Sequence, residues 1–227
     1  MIAAMNVSDA VRARRSMRAF LPDPVDPALV RRLAVEAARA PSNGNTQPWH
    51  VDLVFGAPLE EIRAQALAAR AGGSPDEPAE YEVYPPKLWP PYRDRRFRVG
   101  EDLYARIGVA REDREGRLRW FGRNAELFGA PAAAFVTLDR RMGPGQWADA
   151  GMYLQTFMLL LQEAGLGTCA QGYWALHPSA PRRVLGIPDE RMIYAGLAIG
   201  YPDPAHPLSA LETERAPEDE FLRVHGA

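Results

Sequence analysis

Apolar residues recur along the chain with two different periods, and the switches between them outline the elements. Val7, Ala10 and Val11 share one face of a helix predicted over Val7 to Arg14, with Asn6 or Ser8 as its cap. Asp26 is a capping residue before Pro27 at a first helical position; Leu29, Val30, Leu33, Ala37 and Ala40 then form the stripe of a second helix that stops at Pro41. The alternation from His50 to Phe55 predicts a strand, and Pro58 to Arg70 a helix ended by Gly72-Gly73. Arg95 to Arg106 and Glu112 to Phe128 predict two charged helices, and Pro131 to Leu138 a buried strand. Trp147 to Ala164 predicts a helix apolar nearly all round, Pro178 to Leu185 a short helix, and Met192 to Ile199 a last strand. Beyond Gly200 the chain is a proline- and acid-rich tail, with helical spacing only over Glu218 to Val224. This order is an α+β mixture rather than the steady βαβ alternation of a doubly wound fold.

The apolar helix bears on partners. Its longest apolar stretch, Met152 to Leu161, is broken by Gln155 and flanked by Asp149 and Glu163, so it is too short and too polar to span a bilayer. A helix apolar on every side belongs in a core or in an obligate subunit interface. Asp149, Gln155, Gln162 and Glu163 are read as its surface or interface polar groups.

Between the two halves runs a proline-rich stretch, Ala71 to Arg93, with Pro75, Pro78, Pro85, Pro86, Pro90 and Pro91. Tyr81, Tyr84, Trp89 and Tyr92 set it apart from disordered segments, which are poor in aromatics. Two readings stay open: an ordered lid or arm on a partner, and an insertion with no part in the chemistry.

Composition narrows the classes. The 227 residues are 47% hydrophobic and 25% charged with no shift that marks a linker, so one domain over 1–227 is expected. A net charge of −2 supplies no positive field for nucleic acid or anionic lipid, and neither is expected as a partner. Lys87 is the only lysine, so a lone arginine says little here, whereas arginines inside a constrained motif still count. The single cysteine, Cys169, can form no internal disulfide and no metal cluster; flanked by small residues, it reads as a buried, inert thiol. Met1 to Met5 lacks a basic region and a long apolar one, so no signal peptide is read and a soluble, cytoplasmic protein is expected.

Three segments could carry chemistry. Arg14-Arg15-Ser16-Met17-Arg18 packs three guanidiniums and a hydroxyl into five residues, and guanidinium forks match phosphate oxygens. In an extended segment Arg14, Ser16 and Arg18 project to one side; a solvated basic face is the plainer alternative. Pro41-Ser42-Asn43-Gly44-Asn45-Thr46-Gln47-Pro48-Trp49 joins a helix end to a strand start with rigid ends and many donors and acceptors, as a flat heterocycle would require; an ordinary turn would need only some of them. Gly165-Leu166-Gly167-Thr168-Cys169-Ala170 matches a dinucleotide fingerprint in form, but it follows a helix and precedes an extended run, so Gly165 is read as a helix cap instead. His50, His177, His206 and His225 lack zinc spacing, and no metal site is expected.

Taken in order, RRSMRAF (Arg14 to Phe20), APSNGNTQPWHV (Ala40 to Val51), GLGTC (Gly165 to Cys169) and TERAPEDEF (Thr213 to Phe221) resemble the FMN-dependent nitroreductase family. YPPKLWPPYRDRRFRVGEDLY (Tyr84 to Tyr104) looks like the subgroup acting on nitrobenzoates and related nitroaromatics. The resemblance implies a sandwich in which a central, mostly antiparallel sheet lies among helices. It implies an intertwined homodimer with FMN at the subunit interface, residues of about 72–93 as a lid or insertion, and residues of about 200–227 as an arm reaching the partner. The implied activity is ping-pong hydride transfer from NAD(P)H to a small nitroaromatic or quinone-type acceptor. Other flavin chemistry on the same fold (reductive dehalogenation, flavin breakdown) and a non-catalytic FMN-binding or sensing protein are the alternatives.

By the same resemblance Arg14, Arg15 and Ser16 match the positions that hold the FMN phosphate and ribityl chain, and Arg18 the cation near flavin N1 and the C2 carbonyl. Pro41, Ser42, Asn43 and Asn45 match the segment that reaches the flavin from the other subunit; Gln47 belongs to it, with a side chain that serves the loop. Gln171 and Gly172 fall near the N5 edge, and Arg215 matches a C-terminal phosphate contact. Arg123 is the nearest candidate for a mid-chain contact. Tyr173 and Trp174 depart from the family pattern and are expected to narrow the substrate face. No side chain is expected to be catalytic, because the flavin carries the chemistry.

Overall fold

The computed structural model describes residues 5–72 and 78–226. Gly73, Pro75 and the first four residues, which entered the readings above, lie outside the described residues. Two helices open the chain, α1 (Val7–Ala13) and α2 (Pro27–Ala37). Their caps are local: the Asn6 side chain accepts from the Asp9 N–H, and that of Asp26 from the Ala28 N–H. Strand β1 (His50–Phe55) and helix α3 (Gly56–Ala71) follow, then α4 (Tyr92–Arg106) and α5 (Arg114–Gly122). The rest comprises β2 (Ala132–Asp139), α6 (Pro144–Glu163), β3 (Gly167–Gln171), α7 (Tyr173–Leu176), α8 (Ser179–Leu185), β4 (Arg191–Gly200) and α9 (Glu218–Phe221).

The four strands form one sheet in the order β1-β2-β4-β3, and each neighbouring pair is antiparallel. Helices cover both faces. On one face Ala133 and Phe135 of β2 meet Leu59 and Ile62 of α3 and Trp174 of α7. On the other, Ala134 and Val136 meet Val30 and Leu33 of α2 and Tyr153, Phe157 and Leu161 of α6. Strand alternation alone would break this order in β4, where Ile193 faces the first core and Ala195 the second. A bulge resolves it: Val136 pairs with Ala195 but Thr137 with Ile193, so Tyr194 is an extra residue and the facing resets.

Three expectations are corrected. The helix read over Glu112 to Phe128 ends at Gly122; turns follow, and Leu127 and Phe128, with positive φ (52° and 55°), lead the chain into β2. The apolar helix begins three residues early, at Pro144, whose missing N–H costs nothing at a helix start. Asp149 is not a surface polar group; it is fully buried. Of the described residues, no helix is long and apolar enough to cross a membrane.

Trp174 is the largest fully buried side chain, and it lies against Gly196 of β4. A Cβ on Gly196 would stand 2.2 Å from the indole Cδ1, far inside contact distance. Gly196→Ala is therefore expected to destabilise by about 1–3 kcal/mol, read as a lower urea midpoint at unchanged slope. An unchanged midpoint would show that the indole moves aside freely.

Candidate functional site

The arginine-rich segment docks on a sheet edge. Ser16 forms a parallel bridge with Thr168 at the start of β3, and the Met17 N–H donates to the Thr168 carbonyl at 2.8 Å. Close approach needs Gly167, where a Cβ would stand 2.7 Å from Met17 Cγ. Met17 and Ala19 turn into the protein, which leaves Arg14, Ser16 and Arg18 on the outer side, as the spacing predicts. The tail returns to the same place. Arg15 donates to the Ser209 carbonyl at 3.3 Å and pairs with Glu212. Beyond it, Arg98 and Arg95 of α4 pair with Glu214 and Glu220.

Together these segments enclose a cavity of about 560 Å³ lined by Arg14, Arg15, Ser16, Arg18, Thr213 and Arg215, with Arg12 and Glu212 at its wall. Five arginines face one carboxylate. Arg15 is the one that Glu212 neutralises; among the described residues Arg14, Arg18 and Arg215 form no ion pair. Burial lowers the pKa of the Arg14 guanidinium from its ordinary value, and the nearby Arg215 charge lowers it further. Like charges held together in partial burial define a place for an anion. Cys169 lies beneath them. Burial pushes its thiol up, and the Arg18 and Arg14 charges act in the opposite direction, so the structure favours the inert thiol read from the sequence.

The second candidate segment folds elsewhere. No residue of 41–47 lines the arginine cavity. The segment curls into a turn over Asn43–Asn45, with the Gln47 N–H donating to Ser42 Oγ at 3.0 Å and Gln47 Nε2 to the Asn45 carbonyl at 3.2 Å. Pro41, Asn43, Asn45 and Gln47 are exposed, and Ser42 is half-buried. The loop sits on the first half of α6, tied there by Asp149.

Gln171 is buried at the end of β3. Its Nε2 donates to the Asn124 carbonyl and Oδ1 at 3.0 Å, and its Oε1 accepts from Trp174 Nε1 at 3.3 Å. Its side chain is thus committed to the fold. Trp174 does not narrow an open face, because the indole is fully buried against Phe135; Tyr173 is buried beside it. Val83 packs over Gly172 instead, 3.1 Å from where a Cβ would stand. Arg123 lies apart from the cavity, over the Trp120 ring and 3.5 Å from Glu126.

Val83 belongs to the proline-rich stretch, whose described part is firmly held. β4 overhangs β3, which pairs only with Gly196 to Gly200. The stretch covers the overhang: Glu80 Oε1 accepts from the Ile193 N–H at 3.2 Å, and the Tyr81 hydroxyl donates to the Tyr194 carbonyl. The Glu80 side chain is only 2% exposed and pairs with Arg140 at 2.6 Å and Arg182 at 3.1 Å. Burial raises the Tyr81 hydroxyl to about 12, so it stays a donor at any ordinary pH. Among the described residues the sequence reading missed Glu80, Asp149 and Glu212 as site-building groups. The one signal in the sequence was an acid, Asp149, in a helix otherwise nearly all apolar.

Known proteins resemble this chain in sequence and fold. Residues 11–201 match the Nitroreductase family. The chain is 33% identical over 215 residues to a chloronitrobenzene nitroreductase of Comamonas testosteroni, covering 95% of each. It is 36% identical over 223 residues to a 4-nitrobenzoate reductase of Nocardioides sp. (strain LMS-CY), covering 96% of this chain and 90% of that one. The crystal structure of the FMN- and NADPH-dependent nitroreductase NfnB of Sphigopyxis sp. strain HMH superposes with a TM-score of 0.95 at 42% identity, over 98% of this chain and 100% of that one. The α+β sandwich with its antiparallel sheet is therefore the nitroreductase fold, and the chain belongs to the nitroreductase family.

Glu80→Ala leaves Arg182 without its buried carboxylate partner and reopens the Ile193 N–H. The expected result is faster proteolytic cleavage within 78–91 and a loss of about 1–3 kcal/mol in stability. Cleavage as slow as in the parent chain would show that the aromatic contacts hold the segment unaided.

Proposed function

We propose that the chain is an FMN-dependent NAD(P)H oxidoreductase that reduces nitroaromatic or quinone-type acceptors. The observation that carries this reading is the trio Arg14, Arg18 and Arg215, unpaired among the described residues around one cavity. A phosphate monoester, with about −1.5 to −2 charges near neutral pH, fits such a wall. Arg14, Arg15 and Arg215 would hold the phosphate, Ser16 would donate to the polar chain beside it, and Arg18 would lower the energy of negative charge developing at its own wall. Gln171, with its side chain committed, would serve through its backbone, and Gly172 through the close approach that a missing Cβ permits. Bound FMN would supply hydride chemistry between NAD(P)H and the acceptor. The relatives named above support the reading, since their names carry FMN, NADPH and nitroaromatic reduction.

The site would be completed by a second copy of the chain. The loop carrying Pro41, Ser42, Asn43, Asn45 and Gln47 is mostly exposed and lines no part of the arginine cavity, so the two halves suit different protomers of a homodimer. Met152 on α6 is 38% exposed and Val11 on α1 52%, an apolar surface of the kind that subunits cover. The same reading makes the chain one domain over 1–227, with residues of about 72–93 as a lid or insertion, residues of about 200–227 as an arm reaching the partner, and a cytoplasmic home.

An absorbance spectrum of the purified protein, followed by anaerobic titration with NADH and NADPH, tests this. A flavin spectrum bleached by a nicotinamide is expected. A colourless chain that gains no thermal stability with FMN overturns it, and a yellow chain that neither nicotinamide bleaches points to storage or sensing. Arg215→Ala is expected to weaken FMN binding about 10- to 100-fold, the worth of a charged hydrogen bond, while Arg18→Ala slows flavin reduction more than it weakens binding. Equal effects on both quantities would count against the two roles.

A further inference from the structure

We infer that Asp149 is the positioning residue that holds the 41–47 loop in its cofactor-facing shape, with Asn43 as its tether. This rests on the reading that the loop completes an FMN site. Asp149 is fully buried in α6, and among the described residues no arginine, lysine or histidine pairs with it. A buried carboxylate without a cation is tolerated only when N–H donors converge on it. Here those donors come from one residue. The Asn43 backbone N–H reaches Oδ1 and Oδ2 at 3.1 and 3.2 Å, and Asn43 Nδ2 reaches Oδ1 at 3.1 Å.

What the carboxylate holds is a strained turn. Gly44 and Asn45 have φ of 57° and Gln47 of 47°, so two residues with a Cβ occupy the left-handed region within three positions. Apart from a long contact of Asn43 Nδ2 with the Gly145 carbonyl, the other bonds of the loop are internal: from Asn45 N–H to the Ser42 carbonyl, from Thr46 N–H to the Asn43 carbonyl, from Gln47 N–H to Ser42 Oγ and from Gln47 Nε2 to the Asn45 carbonyl. They curl the loop without fixing it to the protein. Asp149 supplies the fixed point, and the loop surface that results is strained, polar and mostly exposed. Asn43 then acts through its tether: its amide is spent on Asp149 and, at 3.5 Å, on the Gly145 carbonyl.

Asp149→Asn keeps the shape but turns an amide N–H₂ toward the donors of Asn43. It is expected to raise the Kd for FMN at least tenfold, followed by quenching of flavin fluorescence. It should also alter the band shape of bound FMN and speed amide hydrogen exchange at 43–47, with an unchanged sedimentation coefficient. Asn43→Ala, an exposed site that leaves folding intact, should move the same quantities the same way by less, and should add nothing in an Asp149→Ala background. If Asp149→Asn does not fold, Asn43→Ala decides alone. The inference is overturned if wild type binds FMN and these variants match it within twofold with unchanged exchange. A wild-type chain that binds no FMN refutes the cofactor reading instead, and exchange at 43–47 then decides the anchor by itself.

Discussion

The hydrogen bond from the Met17 N–H to the Thr168 carbonyl is the contact on which the site depends. It lays an extended, arginine-rich segment along the edge of β3, and the pleat then sorts its side chains: Met17 and Ala19 inward, Arg14, Ser16 and Arg18 outward. Gly167 is the concession that makes the contact possible, because any Cβ there would meet Met17 and Pro202. The tail needs the same edge. It turns at Pro207–Ala210, ties to Arg15 through Ser209 and Glu212, and so delivers Arg215 opposite Arg14. Charges contributed by residues nearly two hundred positions apart meet because one short backbone pairing fixes the frame.

Two buried acids perform the complementary task. The carboxylates of Glu80 and Asp149 are both buried, and each fastens a polar or proline-rich segment to the body of the protein. They solve the cost of burial differently. Glu80 has two guanidiniums and a backbone N–H. Asp149 has, among the described residues, the N–H groups of Asn43 alone. The first arrangement ties three separate elements together; the second governs the shape of a single loop.

Much of this was legible in the sequence because it is locally encoded. The run His50–Phe55 is the strand its opening polar and apolar residues predict, the Asp26-Pro27 cap is a dipeptide, and the arginine run projects as an extended chain must. The order of the motifs also led to the family before any geometry did. What stayed hidden depends on distant partners. Trp174 looked like a residue on an open face, and only the missing Cβ of Gly196, twenty-two positions on, shows where the indole goes. Asp149 looked like a surface acid because its helix gave no hint of the Asn43 donors. The end of α5 was misplaced since nothing local forbids helix at Leu127 and Phe128; the turn into β2 imposes their positive φ.

The overhang of β4 past β3 has a wider meaning. Beyond Gly196 toward Arg191 the strand has no neighbouring strand on that side among the described residues, and Glu80 and Tyr81 close it with side-chain groups instead of a backbone ladder. The described part of the proline-rich stretch therefore shields the edge of its own sheet: removing it would uncover a raw β-edge and bring a tendency toward self-association.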